Sequence, residues 1–481
     1  MCWISGIILV AFLIFIAIIC IRAALFNPKP LPPVKGQPDL IPIDKERAIR
    51  NFQEMIKLET LESNPKARYD FRNLLPTLYP LVHDSLTLEI VGEGGLLYQW
   101  KGRSSSHPIV YLSHYDVVPV EYEKWEKHPF GATQEEGEIW GRGALDSKGT
   151  LLAILESTET LLATDFIPAN DIYLVFGGNE ETTGKDAEAI VDLLAIRGVK
   201  PALVLDTGGA VVEGVFPGVE EPIAMIGIAE KGLVNLLLTV NGSGGHAATP
   251  PTETAISTLS RAILQIHKNP FKAYLSPPAL EMFDNLGRHS SFPYKLIFAN
   301  FWCFKNCFLY FCKLTGGELN ALVRSIVAFT NLEAGETFNV MPPTATAKVT
   351  VRLMLGDTPK TAVEYLQQSI NKVCPPGVEP ITITVLDEDP VNFVSNIKSE
   401  GYRQVQDTIR TMWPEAIITP YLLMGRTDGR FFYKISDVVL RFSAMKMSNE
   451  DRKRIHGHNE RISEAQLLGA VEFYQRMITG S

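Results

Sequence analysis

Short runs of apolar residues, separated by stretches of helical period, organise the first half of the chain. The runs at 108–113, 171–176 and 202–205 are apolar at nearly every position, as buried strands are. Helical stretches at 147–163 and 185–196 lie between them, and an amphipathic helix is predicted at 45–60. Strands alternating with helices at this spacing predict an α/β fold with a mainly parallel sheet covered on both faces. In such sheets ligands collect beyond the carboxyl ends of the strands.

The texture changes after residue 222. Runs at 223–228 and 234–240 predict a pair of strands joined through Glu230-Lys231-Gly232. A helix at 253–267, an alternating strand at 345–355, a helix at 359–373 and a strand at 381–386 follow. That order predicts a small α+β sandwich of ferredoxin-like kind, inserted into the first domain as a lid. With 481 residues the chain is too long for one core. The expected division is an anchor at 1–25, a proline-rich linker at 26–44, a catalytic domain in two parts, 45–228 and 389–481, and the lid at 229–388.

Residues 2–21 carry no charged side chain. As a helix they would span about 30 Å, one bilayer core. A cleaved signal peptide is the rival reading, but no Lys or Arg precedes the run and no small-x-small cleavage site follows it. An uncleaved single-pass anchor is therefore expected. Arg22, Lys29 and Lys35 follow the span, a bias that would leave the body cytoplasmic; large domains override it, and the side stays open. The prolines at 28, 30, 32, 33 and 38 read as a semi-rigid spacer holding the body off the membrane.

A net charge of −9 leaves no basic surplus for nucleic acid. The six cysteines, Cys2, Cys20, Cys303, Cys307, Cys312 and Cys374, include no Cys-x-x-Cys pair. Neither a zinc knuckle nor a disulfide framework is indicated, and free thiols are expected.

The candidate chemistry sits at the ends of the predicted strands. His114 ends the first, Glu180-Glu181 follows the second, Asp206 ends the third, Asp146 precedes a helix, and His456 lies near the C-terminus. Each alone has a bland explanation: a satisfied histidine, an N-cap, a solvated acidic pair. Five together need a common cause, because charge at the ends of apolar strands is costly without a partner. Oxygen and nitrogen ligands without cysteine suit zinc or a similar divalent ion. A two-metal site needs a shared carboxylate, ligands for each ion and one acid free to move a proton, and Glu180 and Glu181 can divide those roles. Asp116, two residues after His114, is placed to accept its second ring N–H.

Seven motifs then occur in order: Ser-His-Tyr-Asp-Val-Val-Pro, Trp-Gly-Arg-Gly-Ala-Leu-Asp-Ser-Lys-Gly, Glu-Glu-Thr-Thr-Gly, Gly-Ser-Gly-Gly-His-Ala-Ala-Thr-Pro-Pro, Phe-Asn-Val-Met-Pro-Pro, Gly-Arg-Thr-Asp-Gly-Arg-Phe-Phe and Ile-His-Gly-His-Asn-Glu-Arg-Ile. Across about residues 45–480 the chain resembles the dizinc exopeptidases and amidohydrolases that include glutamate carboxypeptidase, aminoacylase and carboxypeptidase S. The resemblance implies two zinc ions bridged by Asp146, with His114 and Asp206 on one and Glu181 and His456 on the other. It implies Glu180 as general base, Asp116 as the partner of His114, and His246 as an oxyanion donor from the lid. Arg352, Asn339 and Arg430 match substrate-clamping positions, where an arginine grips a free carboxylate. Three features depart or compete. Asn179 stands where relatives usually carry an acid. Arg426 lies in a glycine-rich turn, as a carboxylate contact or a surface residue. His458 rivals His456 but fills the variable position.

For substrate, the aromatic run 292–311 reads as a lining for a fatty-acyl chain or a surface on the bilayer, with a lid-core helix or a dimer contact as rivals. With the anchor and the likeness to fatty-acyl-amino-acid hydrolases, it favours N-acyl amino acids with a free carboxylate. Short dipeptides are the alternative. Related lids dimerise, so a homodimer through the lid, with His246 serving the neighbouring copy, is also implied. A metal-free binding protein would lack a ligand or the base, and this chain has both.

Overall fold

The computed structural model describes residues 2–34, 36, 40–373, 380–389, 391 and 393–480. Lys35, Pro38 and Cys374 lie outside the described residues, as does the side chain of Cys2.

The apolar runs form the centre of a ten-stranded sheet. Ser104–His114 lies between Asn170–Gly177 and Leu203–Asp206, parallel to both. Val439–Arg441 extends the parallel set beyond Leu203–Asp206, and Ile417–Leu423 runs parallel to Ile223–Glu230. Antiparallel pairs join Thr87–Val91 to Gly95–Trp100 at one edge and Val211–Val212 to Ile223–Glu230 near the other, where Lys446–Met447 pairs parallel to Val211–Val212 as the last strand. The buried helix Lys148–Leu162 packs on this sheet and against the C-terminal helix Glu464–Thr479. The parallel register brings His114 level with Gly177, three residues before Glu180. Pairing thus aligns two strand ends from different parts of the chain.

A second, four-stranded antiparallel sheet has the order Ile326–Glu333, Thr344–Leu353, Gly232–Asn241, Thr382–Asp389. With the helices Ala255–Lys268 and Pro359–Asn371 this is the βαββαβ arrangement of a ferredoxin-like sandwich. It has its own apolar core, including Val234, Leu236, Leu259, Val349 and Leu366.

Three features differ from the sequence expectation. The strands Ile223–Glu230 and Gly232–Asn241 are consecutive but not paired: the first belongs to the large sheet, the second to the small one. The chain turns at buried Lys231, whose ammonium donates to the carbonyls of Ala321 and Arg324 at 2.9 and 2.8 Å. Next, residues 277–315 fall inside the stretch expected to be the lid, yet Phe283, Phe298, Phe308 and Cys312 join the core of the large sheet. The helix Pro277–His289 packs there against Ile417–Leu423. Finally, the described residues of the proline-rich segment lie along the body at Asn27, Pro32 and, just beyond it, Ile41. Arg288 bonds the carbonyl of Asn27, Arg410 that of Pro32, and Gln475 both backbone groups of Ile41. Without internal hydrogen bonds, such a segment offers its carbonyls to neighbouring guanidinium groups.

Candidate metal centre

The centre is built from two strand ends of the large sheet, at His114 and before Glu180, from the loop that carries Asp146 after Glu138–Trp140 of a three-stranded sheet, and from a loop near the C-terminus. Asp146 is not the cap of the helix Lys148–Leu162; Ser147 holds that position. The Asp146 carboxylate instead lies between two imidazoles. Its Oδ1 is 3.1 Å from Nε2 of His114, and its Oδ2 is 3.2 Å from Nε2 of His456. Glu181 Oε2 is 3.1 Å from the same His456 nitrogen, and Glu180 Oε2 is 3.9 Å from Nε2 of His114. Ligand atoms thus gather in two overlapping groups: His114, Glu180 and Glu181, and Asp146, Glu181 and His456. His458 is exposed and belongs to neither.

Asp206 stands apart from both groups. Its Oδ1 accepts the N–H of Thr207 at 2.8 Å and its Oδ2 that of Gly429 at 2.6 Å. A carboxylate has about four acceptor sites, so these bonds leave others free.

Asp116 does more than face its histidine. The Nδ1 of His114 is 3.1 Å from the Asp116 carbonyl and 3.4 Å from Oδ1. The Asp116 carboxylate also accepts the backbone N–H groups of Glu180 and Glu181, at 3.1 and 3.0 Å. One acid thereby orients the imidazole and pins the loop carrying both glutamates. Asn179 uses its side-chain oxygen to accept from Asp186 N at 3.1 Å, at the start of the helix Lys185–Ile196.

The acids outnumber the cations, and burial makes that costly. Burial, then Asp428, Glu181 and Asp146, push Glu180 well above its ordinary pKa, against the pull of His114. Asp428 is raised to about 7, first by burial and then by Asp206 and Asp116, although Arg430 opposes. Bonds to Asp146 and Glu181 lift His456 to about 10. Glu181 Oε1 and both Asp428 oxygens are buried without a hydrogen-bond partner. This surplus of buried oxygen donors around two imidazoles is what a divalent cation neutralises, and the donor set fits zinc.

Two residues that sequence reasoning did not assign hold the centre together, and a third lines it. The Glu460 carboxylate is fully buried and accepts four donors: Arg142 Nη1 at 2.6 Å, Gly143 N at 3.0 Å, Leu145 N at 2.8 Å and Asp146 N at 3.2 Å. Arg142 also donates to the carbonyl of Gly457 at 2.7 Å. Together they clasp the Asp146 loop to the His456 loop. There His456 has φ +59°, and any side chain at Gly457 would run into the Lys453 carbonyl. Glu460 and Arg142 lie within quoted motifs, but their pairing across 318 positions has no local signature. Asp428, the third, lies against the end of the strand Asn170–Gly177, level with His114: a Cβ on Gly177 would lie 2.5 Å from its Oδ2.

The expected substrate residues are dispersed. Arg430 is buried and committed to the protein: it donates to Thr427 O at 2.8 Å and Thr183 O at 3.0 Å, and pairs with Asp389 at 2.8 Å. Arg352 is half-buried with Nη1 unpartnered, and burial and then Arg426 lower its pKa. Arg426 reaches toward Asp387 and Asp389, at 3.7 and 3.8 Å. His246, on a two-stranded ribbon, and Asn339, just before the paired strand, are exposed neighbours and belong to neither metal-ligand group. The Ala247 N–H bonds the Asn339 carbonyl at 3.1 Å, and Nδ1 of His246 accepts from Ala248 N at 3.0 Å.

Known proteins share this plan. The chain is 35% identical over 449 residues to the N-fatty-acyl-amino acid synthase/hydrolase PM20D1 of Xenopus tropicalis, covering 91% of this chain and 86% of that protein. It is 34% identical over 414 residues to the probable carboxypeptidase S-like 2 of Dictyostelium discoideum, covering 85% and 78%. Among solved structures, an M20 family metallo-carboxypeptidase from Sulfolobus solfataricus superposes with a TM-score of 0.66 at 18% identity, over 90% of this chain and 98% of that one. Residues 110–480 match the peptidase family M20/M25/M40. That span takes in His114, Asp146, the Glu pair and His456, and the chain belongs to this family of metal-dependent hydrolytic enzymes.

Proposed function

We propose that the protein hydrolyses the amide bond of N-acyl amino acids, fatty-acyl ones included, that carry a free carboxylate, using two zinc ions. The observation that carries this is the Asp146 carboxylate between two imidazoles, with one oxygen 3.1 Å from His114 and the other 3.2 Å from His456. That is the posture of a shared ligand. His114 and Asp206 would complete one site, and Glu181 and His456 the other. When bound, the metal pair supplies Lewis acidity to a water and to the scissile carbonyl.

The chain's own residues do the rest. Glu181 is engaged by His456 and Glu180 is not, which leaves Glu180 to take the proton of the attacking water and pass it to the leaving nitrogen. Its backbone is held by Asp116, so the carboxylate is aimed without help from substrate. His246 accepts at Nδ1, so its ring proton sits on Nε2 and is available to an oxyanion. Arg352, with a buried donor to spare, grips the substrate carboxylate, and Asn339 flanks His246. Arg430 serves this subsite by fixing the Thr427 loop.

Within the inserted stretch 229–388 the four-stranded sandwich is the lid that carries His246 and Asn339 to the centre. Their exposure fits delivery either by closure or from a second copy in a lid-to-lid homodimer. Segment 1–25 is a single-pass membrane anchor, 26–44 its link to the body, and 45–228 with 389–481 the catalytic domain. The span Trp3–Ala24 contains an 18-residue window with a mean hydropathy of 3.2, which supports the anchor. Short peptides such as Gly-Leu are the second reading, favoured by the carboxypeptidase S-like relative.

A substrate panel on purified, zinc-loaded protein tests this. It compares N-oleoyl-phenylalanine, N-acetyl amino acids and Gly-Leu, each with a free and a blocked carboxylate. Turnover of the free acyl amino acids is expected. Turnover confined to Gly-Leu would transfer the assignment to the dipeptidase reading, and indifference to blocking would remove Arg352 from its role.

A further inference from the structure

The helix Cys2–Ala24 does not leave the body on a free tether. Its C-terminal part is bolted to the helix Phe292–Phe298 and to the turn at 299–302 that leads into the helix Phe301–Thr315; together these helices contain the aromatic run. Asn300, fully buried, is the knot. Its amide donates to the carbonyls of Ile19 and Leu296 at 3.0 and 2.9 Å, and its oxygen accepts from Arg22 Nε and Trp302 Nε1, each at 3.2 Å. Arg22 also donates to the Ala299 carbonyl at 3.0 Å. Ile19 and Ala23 are buried in the same seam, and Phe15 meets Trp302 edge-on at 6.0 Å. Positions 15, 19, 22 and 23 form one helical face.

This seam fixes a depth. Phe15 lies seven residues before Arg22, about 10 Å along the helix axis. If Arg22 marks the edge of the hydrocarbon, Trp302 sits well inside the leaflet. The aromatic helix is suited to that position. One face of it, with Phe301, Phe308 and Cys312, packs on the protein. A second apolar stripe of Cys307, Tyr310, Phe311 and Leu314 is exposed, with Leu314 at 68%. Lys305 and Lys313 are exposed and long enough to snorkel to headgroups. Fifteen residues of helix reach only about 22 Å, too short for a second span. A short helix with an apolar outer face and flanking lysines lies in the interface plane.

We propose that Phe292–Phe298 and Phe301–Thr315 form a foot embedded in the leaflet where the anchor emerges, with the outer stripe of the longer helix in contact with lipid chains. The inference rests on the anchor reading of Cys2–Ala24. It seats the enzyme body on the bilayer surface, where an amphiphilic acyl substrate is concentrated.

The native Cys307 thiol reports on the foot directly. Full-length protein, one copy per phosphatidylcholine nanodisc, is treated with a charged maleimide, and each cysteine is followed by mass spectrometry. Ile14→Cys reports on the anchor and Ser104→Cys on exposed body surface. A thiol in hydrocarbon has little thiolate and meets little charged reagent, so Cys307 and Ile14→Cys should both react at least about tenfold more slowly than Ser104→Cys. Slow Ile14→Cys with Cys307 as fast as Ser104→Cys would overturn the foot and leave the anchor standing. Fast labelling at both would overturn the two together.

Discussion

Replacing Glu460 by glutamine tests whether the clasp beneath the centre holds the metal ligands in place. The carboxylate accepts four donors with two oxygens, and Gln supplies one acceptor oxygen of nearly the same shape. If that oxygen keeps the amides of Leu145 and Asp146, the new NH2 group confronts Arg142 Nη1 and Gly143 N, donor against donor. Arg142, only 2% exposed, then loses its carboxylate but keeps the Gly457 carbonyl and the Trp125 ring. Breaking a buried ion pair on one side costs about 3–5 kcal/mol. The two loops it joins carry Asp146 and His456, so zinc affinity should fall by about 10- to 100-fold, as when an outer partner of a ligand is lost. Urea unfolding gives the first quantity and competition with a zinc chelator the second. The double variant Arg142→Met with Glu460→Gln should be less destabilised than the sum of the single ones, because no buried charge is left unpaired. A Glu460→Gln protein that unfolds and binds zinc like the parent would falsify the clasp.

Other outcomes follow from the same geometry. Glu180→Gln should keep its metal but lose about 10²- to 10⁴-fold in kcat; metal analysis beside turnover checks it, and full activity removes Glu180 from proton transfer. His246→Ala should lower kcat by about 10²- to 10³-fold with metal content unchanged, and an unaltered kcat discards the oxyanion role. Arg352→Met should cut kcat/KM about 10- to 100-fold for free acids, the worth of a charged hydrogen bond, and hardly at all for their methyl esters; equal losses would contradict carboxylate recognition. Lys231 has its pKa lowered to about 7, first by burial and then by Arg352. Between that value and its unfolded pKa near 10.5 the unfolded chain holds the extra proton, so this group makes stability rise with pH, by up to about 1.4 kcal/mol per unit. Lys231→Met should flatten that rise in urea titrations from pH 7 to 10, and an unchanged slope would refute it.

Much of the chain was legible because its physics is local. Three uninterrupted apolar runs have no stable place but the middle of a covered sheet, and they are its middle strands. Alternation at 345–355 announced the half-exposed strand Thr344–Leu353. Charged groups at the ends of apolar runs announced a site. The motifs contain the acids and imidazoles that gather around Asp146, His456 among them, and also Asp206, which is in neither group.

Contacts between distant segments were decided only in three dimensions. Nothing in the spacing of Glu230-Lys231-Gly232 tells a hairpin from a crossing between two sheets; the carbonyls of Ala321 and Arg324, 90 and 93 positions away, decide it by capturing Lys231. Whether an arginine grips substrate or protein is equally invisible in sequence. Arg430 is spent on Thr427, Thr183 and Asp389, whereas Arg352 keeps a free donor. The aromatic run 292–311 carried no mark of which core it would join, because apolar area is not directional. The composition of this chain therefore determined which groups had to be buried and which acids needed a cation. Tertiary packing decided which partners they found, since a hydrogen bond or ion pair depends on position to within an ångström and apolar burial does not.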